Sequence, residues 1–294
     1  MKNQLIIVRY GEIALKGKET RRRFEDKLVS NIKKALETEK IIFKTTKERG
    51  RIYVFTEEIN KSIKVLQKIF GLTSISPAIK TKSDINSMQE LATKIAKENK
   101  LSKNKSFALR VTRTGSHNYT SQDIAIKIGN DIVKKTNAKV NLTKPNFELF
   151  IEIRNNDTYF YTKKTRCIGG MPYNTQGTIL GLIDGIESIL ASWYLIRRGC
   201  SVFFLCYDEK LCKTVEDFSK KWYIDSEKKL IKDEENVYDY VKKNHKAIVT
   251  GYKIDEIEEI KNMKKPDGLP ILHPLIAMNK EEIIKKCKEI GLKT

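Results

Sequence analysis

The chain has 294 residues and carries 57 Lys+Arg against 37 Asp+Glu, a formal charge of +20 that is unevenly placed: +19 falls in residues 1–170 and +1 in residues 171–294. Such a surplus in one part points to a polyanion-binding front joined to a near-neutral rear, with nucleic acid, and RNA in particular, as the first candidate partner. No apolar run reaches membrane-spanning length, no basic amphipathic helix with a Trp/Phe-rich face appears, and five cysteines suit reduced thiols better than a disulfide framework, so a cytoplasmic protein with two or three domains is expected.

In chain order, residues 5–8 read as an apolar strand. Gly11 to Lys18 follow, a stretch with two lysines (Lys16, Lys18) at a glycine-flanked bend. Thr20 then precedes Arg21, Arg22 and Arg23 and a helical run through Phe24, Leu28, Ile32 and Leu36. Cations at a helix start oppose the macrodipole, so an external anion is one reason to keep them there; a solvated helix turn is the other. Strands at 41–45 and 52–55, joined by a turn through Arg49 and Gly50, and a helix at 61–69 complete a strand–helix–strand–strand–helix order that resembles a ferredoxin-like split βαβ unit.

Residues 71–77 read as a hinge into a second unit. A strand at 75–80 is followed by a helix capped by Ser83 or Asp84 and carrying Met88, Leu91, Ile95 and Ala96. In residues 106–114, Phe107, Leu109 and Val111 alternate with Ala108, Arg110 and Thr112, a half-buried strand. A Gly115-Ser116 turn and a helix capped by Ser121, with Ile124, Ile128 and Ile132 inward, come next. Arg110, Arg113, His117 and Asn118 thus gather at a strand end beside a helix N-terminus, a setting that suits phosphate. Strands at 140–142, 147–153 and 159–162 close the unit, the last two joined by a hairpin turn at 155–157.

Thr178–Ile183 and Ser201–Cys206 read as strands flanking a helix at 188–198, the start of an open parallel sheet; a strand at 247–250 ends in Gly251, and Lys280–Ile290 is a final helix. Cys167 lies beside Lys163, Lys164 and Arg166, which would favour a thiolate, whereas Cys200, Cys206, Cys212 and Cys287 read as buried or incidental thiols. His117, His245 and His273 show no ligand spacing, so no metal site is expected from them.

Residues 9–18 (Arg-Tyr-Gly-Glu-Ile-Ala-Leu-Lys-Gly-Lys) resemble the opening of the ThiI family, the tRNA 4-thiouridine sulfurtransferases. Residues 107–129, 142–146 and 169–177 extend the resemblance through that family's THUMP domain and its exit. The resemblance implies an α/β and α+β multidomain fold: a ferredoxin-like domain (1–72), a THUMP RNA-binding domain (73–168) and a Rossmann-like parallel-sheet PP-loop domain (174–294). It implies tRNA gripped by the first two, with Lys16, Lys18, Arg21–Arg23, Arg110, Arg113, His117 and Asn118 as the RNA-side residues. It also implies ATP with Mg²⁺ in the third, a separate sulfur donor, and a homodimer. Gly181, Leu182, Gly185, Glu187, Ser188, Cys206, Tyr207 and Gly251 occupy the nucleotide-side positions.

The family loop reads Ser-Gly-Gly-x-Asp-Ser, and the matching residues are Ile183-Asp184-Gly185-Ile186-Glu187-Ser188. Asp184 puts a side chain and a negative charge where glycine lets backbone N–H groups approach pyrophosphate. Tyr252 to Ile257 depart from the family's polar nucleotide-side motif, residues 215–244 hold no arginine, and His273 stands where arginine is usual. The chain also stops at Thr294, ahead of the family's downstream cysteine. Two functions stay open: an ATP-dependent tRNA sulfurtransferase, with adenylation in doubt, and a non-catalytic tRNA-binding paralogue or partner subunit of an active enzyme.

Overall fold

The computed structural model describes residues 4–48, 50–231, 237–241, 244–263 and 268–293; Arg49, in the expected hairpin turn, lies outside them. Among the described residues no helix is long and apolar enough to cross a membrane. The chain forms two compact units, each drawing on several stretches: residues 1–9, 41–63 and 74–166 in the first, and 10–40, 64–73 and 167–294 in the second.

The first unit is built on a nine-stranded sheet. Its strands are β1 (Gln4–Tyr10), β2 (Lys44–Glu48), β3 (Arg51–Phe55), β4 (Leu72–Lys82), β5 (Ser106–Thr114), β6 (Lys139–Val140), β7 (Phe147–Arg154), β8 (Asp157–Tyr161) and β9 (Thr165–Arg166). They run in the order β2-β3-β1-β4-β8-β7-β5-β6, with β9 on β4. The segment β2-β3-β1-β4 has the strand order of a ferredoxin-like unit. Residues 71–77, read as a hinge, instead lead into the long strand β4. The strand expected at 41–45 starts later because the hairpin register, Lys44 opposite Phe55 through Glu48 opposite Arg51, outweighs hydrophobicity. Ile42 is left 87% exposed.

Helices α3 (Ile85–Glu98) and α4 (Ser121–Thr136) cover one face of this sheet, burying Met88, Ile124, Ile128 and Ile132 against Phe107, Leu149, Ile151 and Ile153. Asp84 caps α3 through Ser87 N. The cap of α4 is Thr120 rather than Ser121, because Thr120 and Asp123 form a reciprocal capping box that a cap at Ser121 would forfeit.

The opposite face curls onto itself. In a flat sheet β2 and β7, five strand spacings apart, would be separated by about 24 Å, and β3 and β8 by about 14 Å. Yet Arg154 Nε lies 3.5 Å from Glu48 Oε2, and the Tyr53 and Tyr159 rings stack at 4.8 Å. Leu5, Ile7, Tyr53, Ala78 and Tyr159 fill the concave side. Glu152 sits at the rim, 4% exposed, where Arg51 Nε (2.7 Å), Arg9 Nη2 (3.2 Å) and Arg154 Nη1 (3.3 Å) all donate to its carboxylate. Arg9 also donates to Ser76 Oγ at 2.9 Å.

The second unit contains α1 (Lys18–Thr38), the later part of α2 (Ile59–Leu66), and a parallel sheet with its helices. The strands are β10 (Thr178–Ile183), β11 (Ser201–Cys206), β12 (Lys228–Leu230), β13 (His245–Val249) and β14 (Ile271–Leu272), ordered β12-β11-β10-β13-β14, with every pair parallel. Helices α5 (Ile186–Arg197), α6 (Glu209–Lys221), α7 (Ile257–Asn262) and α8 (Lys280–Ile290) complete it. Trp193, Trp222 and Phe70 pack edge-on or tilted in its core. Helix α1 is fastened here by Asn31 Nδ2 donating to Tyr173 O (3.1 Å), by Lys34 against Asp225 (2.7 Å), and by Tyr223 OH donating to Glu39 (2.9 Å).

Candidate functional site

In an open parallel sheet, ligands bind beyond the carboxyl ends of the strands where the order reverses. Here that point lies between β10, followed by its neighbour β11 on one side, and β13 on the other. Strand β10 delivers Asp184 and Gly185 to the N-terminus of α5. Gly185 is extended (φ −165°), its N–H donates to Ser188 Oγ at 3.1 Å, and Ser188 Oγ–H donates back to Gly185 O at 2.6 Å. Strand β13 delivers Thr250 and Gly251 to the same place. A Cβ on Gly251 would stand 2.6 Å from Ser188 N, so only glycine allows this approach. Gly251→Ala is therefore expected to lower stability by about 1–3 kcal/mol through overpacking, read as a lower denaturant midpoint; an unchanged midpoint would refute the close contact.

The electrostatics of this crevice are acidic. Asp184 still reaches solvent, but its pKa is raised, by burial among surrounding atoms first and then by the Glu256 and Glu187 carboxylates, against an opposing hydrogen bond from Ser188. Glu256 Oε2 accepts from Lys253 N at 2.9 Å, and Thr250 Oγ1 lies 2.7 Å from His273 Nδ1. Sequence reasoning singles out neither Glu256 nor Thr250 as a site residue, and Lys253, which has no side-chain acceptor, offers no capping-box signal for the former.

Of the expected nucleotide-side residues, Gly185, Glu187, Ser188 and Gly251 converge here. Tyr207, 47% exposed, joins them by donating its N–H to Ile183 O at 3.0 Å. Gly181 and Leu182 lie earlier in β10 and serve packing: a Cβ on Gly181 would sit 3.0 Å from Ser192 Oγ and from Val202. Cys206 is fully buried, and burial raises its thiol pKa. Asp184, with Glu187 and Glu256 near enough to raise its pKa, puts negative charge beside this N-terminus, partly offset by Lys253 Nζ at 3.8 Å from Glu256, so a polyphosphate would meet like charge here. Among the described residues no group of three or more His, Cys, Asp or Glu is placed to hold a metal ion.

The expected RNA-side residues fall in both units. In the second unit Lys16 and Lys18 are exposed, and α1 begins at Lys18 with Gly17 as its cap. Arg21, Arg22 and Arg23 therefore stand one turn inside the helix, a correction to their reading as its first turn. Arg21 and Arg22 face Glu25 and Asp26 at 3.9 and 4.0 Å, and the Arg23 guanidinium lies 5.4 Å from the Phe24 ring centre.

In the first unit the cations at the β5 end are engaged internally. Arg110 pairs with Glu148 at 2.9 Å and donates to Leu142 O. Arg113 Nη1 donates to Gly115 O at 3.0 Å and contacts His117 Nδ1 at 3.3 Å; His117 Nε2 lies 2.7 Å from Asn155 O, which only an N–H on that nitrogen satisfies. Gly115 (φ +106°) is required there, since a Cβ would meet Asn155 Oδ1 at 2.6 Å. Asn118 remains exposed. Cys167 is overturned as a thiolate: it is buried, and burial pushes its pKa up to about 12.

Comparison with known proteins adds to this geometry. Family models match three stretches: ThiI ferredoxin-like domain at residues 5–76, THUMP domain at 82–163, and Thiamine biosynthesis protein (ThiI) at 235–294. A Methanobrevibacter smithii protein named "Probable tRNA sulfurtransferase" is 30% identical over 339 residues, covering 99% of this chain and 87% of its own. A Methanothermobacter thermautotrophicus protein of the same name is 37% identical over 203 residues, 67% of this chain and 51% of its own. A crystal structure from Pyrococcus horikoshii superposes with a TM-score of 0.82 at 29% identity, covering 98% of this chain and 100% of that one. A 4-thiouridine synthetase solved in complex with RNA and with bound ATP gives the same TM-score at 23% identity over 98% and 85%, a likeness of fold.

Proposed function

Since the chain belongs to the ThiI family of tRNA sulfurtransferases, we propose that it is a tRNA-binding protein whose cationic front grips tRNA and whose parallel-sheet domain keeps the family fold with a weakened hold on ATP. The observation that carries the first half is the +19 surplus within residues 1–170, the part that the ferredoxin-like and THUMP models match. RNA binding of this kind rests on phosphate neutralisation and counterion release, so it scales with the number of lysines and arginines presented.

The second half rests on Asp184, Glu187 and Glu256 around the α5 N-terminus. In relatives that act as sulfurtransferases, ATP would activate a uridine before sulfur arrives from a donor protein. In this chain Gly185, Ser188 and Gly251 could still border the nucleotide, while the carboxylates repel its phosphates. The acidic crevice favours the reading of a tRNA-binding subunit that works beside an active homologue, or as a homodimer, over that of a self-sufficient adenylating enzyme.

Two titrations test this. Unfractionated tRNA should bind with an affinity that falls steeply with salt, and a salt-independent or absent interaction would remove the RNA reading. Calorimetry with ATP, with and without Mg²⁺, should give no saturable heat at sub-millimolar nucleotide. Tight ATP binding would instead restore the adenylating enzyme.

A further inference from the structure

Strands β5, β6 and β7 are parallel, so they begin together at one end of the first unit. Helices α3 and α4 run the same way as each other, with Gln89 donating to Asp131 (2.8 Å) and Lys135 to Thr93 (3.4 Å), and so they finish together at that end. Three connections meet there. The α3–β5 turn is closed by Leu101 N donating to Ala96 O and Lys105 N donating to Ser102 O. Lys139 N, after α4, donates to Lys105 O at 3.1 Å. The β6–β7 loop is shaped by Asn141 Oδ1, which accepts from Thr143 N and Lys144 N, and by Asn146 Oδ1, which accepts from Ser106 N.

Lys97, Lys100, Lys103, Lys134, Lys139 and Lys144 project from these connections, all exposed, and none has an ion-pair partner among the described residues. The nearby acids are engaged with other lysines, Glu98 with Lys94 at 4.0 Å and Asp131 with Lys135 at 3.9 Å. Helix dipoles account for Lys97 and Lys134 in the last turns. They do not account for Lys100, Lys103, Lys139 and Lys144, which lie outside the helices. Gathering like charges destabilises the free protein by self-repulsion, which a bound polyanion relieves. Val140 and Leu142, 54% and 63% exposed, stand among the lysines and offer apolar contact to ribose or base.

We propose that this lysine-rich end is an RNA phosphate-contacting surface, at the opposite end of β5 from the Arg113–His117 turn. The proposal rests on the tRNA-binding reading above and says which surface of the first unit does the binding.

The test replaces Lys97, Lys103 and Lys139 by glutamine and measures affinity for unfractionated tRNA between 50 and 200 mM salt. The slope of log affinity against log salt should shrink by about three, and affinity at 0.1 M salt should fall on the order of 100-fold. A control triple, Lys261→Gln, Lys285→Gln and Lys288→Gln, removes the same charge from the second unit and should leave the slope unchanged. An unaltered slope in the first triple, with the wild type binding normally, overturns the surface. Equal losses in both triples overturn it as well, since net charge alone would then suffice. A wild type that ignores tRNA sinks the broader reading instead; vesicles containing phosphatidylserine, bound by that wild type but not by the first triple, would assign this end to a membrane and overturn the proposal. Should the triple fail to fold, Lys100→Gln with Lys144→Gln carries the same readout, with a slope loss of about two.

Discussion

Glu152→Ala is expected to destabilise the protein by about 3–5 kcal/mol, a large fraction of what holds a domain of this size together. The carboxylate is 4% exposed and is the shared acceptor of Arg9 and Arg51, from the neighbouring strands β1 and β3, and of Arg154 on its own strand β7, which a flat sheet would keep away from β1 and β3. Removing it leaves guanidiniums facing one another at the rim of a curled sheet, and the closure over Tyr53 and Tyr159 should loosen with it. Burial alone would raise the Glu152 pKa, but Arg51 and then Arg9 more than compensate, so it ends below its ordinary value of 4.5. A carboxylate with a lowered folded pKa stabilises fully above its unfolded value, and the contribution disappears as pH falls through the folded one. The wild type should therefore lose stability on acidification below about pH 4.5 by a component that Glu152→Gln lacks. Denaturant titrations across that range check both statements, and a Glu152→Ala loss under about 1 kcal/mol would mean that the rim does not hold the sheet closed.

Asp184→Gly should move nucleotide affinity in the other direction. Two unit charges about 4–5 Å apart at an effective dielectric near 20 repel by roughly 3–4 kcal/mol, so removing the carboxylate nearest the α5 N-terminus should tighten ATP binding on the order of 100-fold. The substitution also frees the backbone to approach an anion. Pairing it with Glu256→Gln should add to the gain, since Glu256 is the first of the two carboxylates that raise the Asp184 pKa. Calorimetry on the single and double variants measures this; no gain in either would place the obstacle elsewhere in the crevice, with the Tyr252 and His273 rings, 6.2 Å apart, as the next suspects.

Local signals were readable along the chain, and partners distant in sequence were not. Ser201–Cys206 and Lys280–Ile290 follow from an uninterrupted apolar run and from a capped amphipathic pattern, and both occur with those bounds. The helix Glu209–Lys221 was missed although Asp208 caps it and Val215 and Phe218 mark its buried side, because the charged residues between them hide a narrow apolar stripe. Strands Lys228–Leu230 and Ile271–Leu272 are too short to announce themselves and exist through pairing with neighbours.

The same division runs through the candidate sites. Gly185, Ser188 and Gly251 are grouped in the sequence only by the resemblance to the ThiI family, since Gly251 lies 63 residues beyond Ser188 and meets it through the parallel sheet. The engagement of Arg110 and His117 could not be read, because Glu148 and Asn155 lie 38 residues further along. Nor could the lysine-rich end be read. Its residues are spread over residues 97–144 and become neighbours only because α3 and α4 run parallel.

The curled sheet also sets an order of events during synthesis. Arg9 and Arg51 meet Glu152 across 143 and 101 residues of sequence. Loop closure over such spans is slow compared with hairpin formation. At roughly 5–20 residues per second, a ribosome needs about 7–30 s to make the intervening chain. During that interval the β2–β3 hairpin, with β1 paired to β3, has an unfilled apolar face, the stage at which a chaperone or an unwanted strand partner has its opening.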